Sequence, residues 1–109
     1  MKVSLLLKDD RFRLITKELN NLDITGIYSC DLLSWVMGHA MEGDAWCTVL
    51  THNNIVAVAS LLKLSCIIVC ENAPIDDDTV EKADKEGINI ITTALNSVEV
   101  IKKLLSGND

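Results

Sequence analysis

The sequence predicts an α/β fold, a single three-layer domain with a mostly parallel sheet flanked by helices. Three observations carry this. Strand-like and helix-like segments alternate through the last two-thirds of the chain, the pattern of parallel strands joined by right-handed crossovers. The strand-like segments are continuous apolar runs, as expected of a sheet covered on both faces. The length of 109 residues, 49% hydrophobic and 24% charged, suits one globular domain with one core.

The first third is less regular. Residues 1–7 form a short helix or a strand, residues 11–15 alternate weakly, and residues 24–28 read as a strand. Asp31 stands where it would cap a helix over residues 32–40, which is apolar along most of its length. A helix that apolar needs burial, in the core or against a partner. Glu42-Gly43-Asp44 then turns the chain into a strand over residues 45–50. Next come Thr51, His52, Asn53 and Asn54, rich in capping side chains, and a helix over residues 55–63. Residues 66–70 are the next buried strand. Pro74 and three consecutive aspartates precede a helix over residues 79–86, where acids in the first turn complement the helix dipole. Gly87 suits the residue just past that helix, and residues 88–93 form a further strand. Asn96 or Ser97 caps a last helix, ended by Gly107.

Composition excludes several roles. Sixteen acids against ten bases give a formal charge of −6, which disfavours nucleic acid and anionic membranes as partners. No stretch reaches the roughly 18 apolar residues needed to span a bilayer. Three leucines near the start are too few for a secretory leader, and charge follows at once. The chain therefore reads as cytoplasmic. Cys30, Cys47, Cys66 and Cys70 contain no C-x-x-C pair and fit no zinc-finger spacing. Cys66 and Cys70 share a strand face but lie roughly 13 Å apart, too far for a disulfide. Free thiols acting as small hydrophobes are expected, with no metal and no cofactor.

Catalytic signals are weak. Gly38 and Gly43 have phosphate-loop spacing, but Asp44 and Ala45 stand where Lys and Ser or Thr are required. The segment also enters a strand rather than leaving one. Two histidines, His39 and His52, offer few players for acid–base chemistry. The chain is read as a non-enzyme.

The better candidates are binding residues. Thr51, His52, Asn53 and Asn54 follow one parallel strand, and Glu71 and Asn72 follow the next. Ligands of open parallel sheets bind at that carboxyl edge. Free N–H groups at a helix start favour an anion or a polar ligand. Leu32, Trp35, Val36 and His39 are the candidate interface, because tryptophan is enriched in binding hot spots.

Three blocks, Asp31-Leu32-Leu33-Ser34-Trp35-Val36-Met37, Glu42-Gly43-Asp44-Ala45-Trp46 and Thr51-His52-Asn53-Asn54 with the helix after it, resemble stand-alone DRTGG-domain proteins. The junction from Glu81-Lys82-Ala83 to Gly87-Ile88 adds to the likeness, which spans residues 1–109 as a single DRTGG-like domain. Related domains precede the kinase domain of HPr kinase/phosphorylase and accompany CBS domains in some pyrophosphatases. The resemblance therefore implies an HPr kinase N-terminal-domain-like fold, a dimer, and a regulatory or ligand-sensing role on another protein. The ligand implied is a small polar or phosphorylated molecule. A homodimeric adaptor without a ligand is the alternative, and a small enzyme the third reading. The naming motif itself has changed. Thr51, His52, Asn53 and Asn54 stand in place of its Asp-Arg part, and Val69-Cys70-Glu71-Asn72 in place of Thr-Gly-Gly.

Overall fold

In the computed structural model, which describes residues 1–106, ten elements follow one another. They are α1 (Val3–Leu6), β1 (Phe12–Leu14), β2 (Gly26–Ser29), α2 (Leu33–His39) and β3 (Asp44–Thr48). Then come α3 (Asn54–Leu62), β4 (Cys66–Val69), α4 (Asp77–Glu86), β5 (Ile90–Thr93) and α5 (Ser97–Ser106). The strands form one sheet in the order β1-β5-β4-β3-β2. All pairs are parallel except β1 with β5. The expected α/β class and layering are therefore present. Gly107 lies outside the described residues.

The strand order decides where the helices go. From β2 to β5 each strand lies beside its predecessor, always in the same direction. Right-handed crossovers then place every connecting helix on one face. Side chains of α2, α3 and α4 accordingly share a core with Trp46, Ile67, Val69 and Ile90. The alternate positions of the same strands, Ala45, Cys47, Cys66, Ile68 and Ile91, face the other way. Val3 and Leu6 of α1 and Val100 of α5 close that second face. Double coverage explains why β3 and β4 are buried at every position.

Local signals explain most boundaries. Gly43 adopts φ 88° in the turn into β3, and a Cβ there would collide with Thr25 Oγ1. Asp44 Oδ2 closes the same turn by accepting from the Met41 amide at 2.8 Å. Gly87 ends α4 at φ 69°. Asn96 and Glu99 exchange bonds, each side chain accepting from the other's amide at 3.0 and 3.2 Å, a capping box for α5.

Two expected caps are absent. Asp31 does not cap α2, which starts at Leu33 behind an uncapped Leu32. Its Oδ1 accepts instead from Thr48 Oγ1 at 2.7 Å and from the Val49 amide at 2.9 Å, tying the loop to the end of β3. Asn53 sits at the N-cap of α3 but already has helical dihedrals, so its side chain cannot reach back and forms no cap. Residues 24–25 and 49–50 fall outside the strands because the ladder ends there.

Candidate functional site

The loops after β3 and β4 lie side by side at the carboxyl edge of the sheet, so Thr51, His52, Asn53, Asn54, Glu71 and Asn72 share that edge. Two of their side chains and several of their backbone groups are bonded within the fold. Thr79 Oγ1 donates to the Thr51 carbonyl at 2.8 Å. Asn53 Nδ2 donates to Asp78 Oδ2 at 3.2 Å. His52 Nδ1 meets Asp76 Oδ2 at 2.6 Å, and that carboxylate raises the His52 pKa above its ordinary value. Glu71 and Asn72 adopt left-handed φ values of 60° and 52° and donate their amides to the carbonyls of Leu95 and Thr93.

Charge and topology both weigh on this edge. Residues 49–54 and 70–78 contain Glu71, Asp76, Asp77 and Asp78 but no lysine or arginine. A crevice at the carboxyl edge forms where the strand order reverses. Here the four parallel strands run without reversal, so this edge has no strand-order switch of that kind. The physical reason is that all connecting helices leave toward the same face.

The candidate interface divides. Leu32 is 60% exposed and Trp35 is 54% exposed. The indole of Trp35 stacks on the His39 ring, with centroids 4.1 Å apart and planes at 18°. Val36 is 0% exposed and belongs to the core beneath α2, so it cannot form part of a surface. The helical period sends positions 32, 35 and 39 outward together and position 36 inward. Trp46 takes the opposite role to Trp35. It is fully buried, and its indole N–H donates to the Cys30 carbonyl at 2.9 Å.

The amino edge of the sheet carries a feature the sequence reading misses. A cleft of about 700 Å³ opens there, floored by Ala59, Leu64 and Ile88 and rimmed by Ser60, Lys63 and Glu86 among others. A second cavity of about 460 Å³, which Thr16 and Asp84 also line, shares Asn20, Gly87 and Ile88 with it. The long loop between β1 and β2 forms one wall. Asn89 fastens it: its Nδ2 donates to the carbonyls of Asn20 at 2.6 Å and Ser65 at 3.0 Å, and its Oδ1 accepts from the Asn20 amide at 2.9 Å. The Lys17 amide donates to Asp84 Oδ1 at 2.7 Å. One signal marked this region in the sequence, a polar Asn89 inside the apolar run Ile88-Asn89-Ile90-Ile91.

Three of the four thiols are closed off by burial. Burial pushes Cys47 and Cys66 up to about 12 and Cys70 up to about 11, so none is a thiolate near neutrality. All four cysteines are free, Cys30 being the one not fully buried. Among the described residues no group of three or more His, Cys, Asp or Glu side chains is placed to hold a metal ion. No described helix is long and apolar enough to cross a membrane.

Neither protein-family models nor curated proteins match the sequence. A solved structure does match in shape: the CBS and DRTGG domains of the regulatory region of Clostridium perfringens pyrophosphatase, complexed with its activator diadenosine tetraphosphate. The TM-score is 0.72 over 92% of this chain, at 20% identity. The chain has a DRTGG-like fold. It spans 44% of the length of that neighbour, and at this identity the likeness is one of fold.

Proposed function

We propose that residues 1–109 form a single DRTGG-like regulatory domain without catalytic machinery, acting on another protein in response to a small polar molecule. The observation that carries this reading is the shape match, over nearly the whole chain, to a regulatory region bound to a nucleotide activator. The buried, high-pKa thiols and the internally spent His52 also support a domain that binds rather than reacts. Free cysteines fit a cytoplasmic setting. Thr51, His52, Asn53, Asn54, Glu71 and Asn72 are the first ligand contacts to test.

Thermal unfolding with diadenosine tetraphosphate, mononucleotides, sugar phosphates and acetyl phosphate tests the sensor. A ligand that binds only the folded state at about 100 times its Kd adds about 2.7 kcal/mol of stability. A rise in Tm that His52→Ala or Asn53→Ala abolishes supports the reading. An unchanged Tm across the panel counts against it.

A second reading, a homodimeric adaptor, has its own observation in the exposed Trp35–His39 stack beside Leu32. Aromatic side chains left this open to water are common at binding hot spots. Mass in solution distinguishes it: Trp35→Ala is expected to yield monomers, and a dimer that survives the change removes α2 from the interface.

A further inference from the structure

We propose that the cleft at the amino edge of the sheet is a binding site for a small organic cation, an amine or amidine carried on an apolar body. The inference is independent of the regulatory reading, since it concerns binding by this chain alone.

The shape argument comes first. A cleft of about 700 Å³ with an adjoining 460 Å³ falls within the usual size of ligand pockets, roughly 300–1,000 Å³. Its floor of Ala59, Leu64 and Ile88 is apolar, which favours an organic body over a bare ion. Asn89 and the Asp84 bond hold the loop wall in place, so the cleft is formed before any ligand arrives.

The chemistry of the rim sets the ligand class. Both α3 and α4 end here, each in a left-handed residue, Lys63 at φ 57° and Gly87 at φ 69°. Amides just past each helix already cap the Ala59, Ser60 and Ala83 carbonyls, so what a helix C-terminus offers a cation here is its partial negative charge. The carboxylates of Glu42 and Glu86 line the same cleft, and neither has a hydrogen-bond or ion-pair partner among the described residues. Asp23 is already paired with Lys2 at 3.3 Å. Across the two cavities, the lining includes five acidic residues (Glu18, Asp23, Glu42, Asp84 and Glu86) and two lysines, Lys17 and Lys63. Acceptors therefore exceed donors, and a guest must bring N–H groups and positive charge. An independent sign comes from Thr16, which lines the smaller cavity. It is 7% exposed, and its buried hydroxyl has no hydrogen-bond partner. Orphaned buried polar atoms are rare in folded proteins.

The experiment is a titration followed by amide NMR shifts, with benzamidine, its neutral isostere benzamide and the anion benzoate as probes. Benzamidine is expected to saturate and to shift the amides of Ser60, Lys63, Gly87 and Ile88. It should bind at least about tenfold more tightly than benzamide, since burying a paired charge separates them by 1.4 kcal/mol or more. The double change Glu42→Gln with Glu86→Gln should weaken benzamidine about tenfold and leave the exposed surface folded. Ser60→Trp, which fills the cleft, should abolish binding by a different route. Non-saturating shifts, equal binding of benzoate, or shifts confined to residues 51–54 and 71–72 would overturn the proposal.

Discussion

The two ends of the parallel sheet are built from similar loops yet differ in what their polar groups do. At the carboxyl edge, exposed side chains from one loop meet exposed side chains from the next: His52 with Asp76, Asn53 with Asp78. The amides after β4 are donated to the end of β5. At the amino edge the buried Asn89 amide and bonds to Asp84 and Gly87 at the end of α4 fix the long loop, and a cleft remains beside it. The difference teaches that two edges of one sheet can employ their polar groups in different ways.

Breaking the amino edge should cost most. Asn89 is 1% exposed and makes three hydrogen bonds. Asn89→Ala strands the buried Ser65 carbonyl and unties Asn20, and is expected to lower stability by about 2 kcal/mol, read as a lower urea midpoint. Faster amide exchange at residues 17–22 should accompany it. If the loss is as small as for a surface change, the loop is held by something else.

The carboxyl edge should yield a smaller effect. Asp31→Ala removes the acceptor for Thr48 Oγ1 and the Val49 amide. Water can reach that loop, so a loss of about 1.5 kcal/mol is expected in the same denaturation measurement.

Lys63→Gly sharpens the comparison in the opposite direction. Lys63 holds φ 57°, a conformation that disfavours a side chain. Glycine there should stabilise the protein by about 1 kcal/mol, measured by Tm. The change also removes a positive charge from the cleft and should tighten benzamidine there.

The smallest effect belongs to His52 and depends on pH. Its folded pKa is raised, first by the hydrogen bond to Asp76 and then by that carboxylate's charge. The stabilisation is therefore fully present below its ordinary pKa of 6.5 and lost as pH rises through the folded value. The pair is exposed to water, which screens it. Unfolding midpoints measured across neutral pH should fall slightly for the parent chain and lose that slope in His52→Ala.

Much of the fold was legible because the strands are short apolar runs with polar breaks. Residues 66–69 and 90–93 are strands for the reason the composition suggests: both faces are covered. The helix after residue 53 overcame its β-branched residues because Ile55, Val56 and Val58 all found core positions. The capping role of Asp31 misled, since a carboxylate before a helix serves equally well as an acceptor for a strand end seventeen positions later. Val36 misled too, because an apolar helix shows no sign in one dimension of which side the sheet lies on.

By itself, the sequence determined the α/β class and the alternation of elements, because these follow from periodicity and from the identity of individual side chains. Only the tertiary structure decided the strand order and, with it, that three helices crowd one face and that a cleft opens at the amino edge. Those depend on pairings between residues far apart in the chain, such as Asn20 with Asn89, whose energies no local pattern encodes.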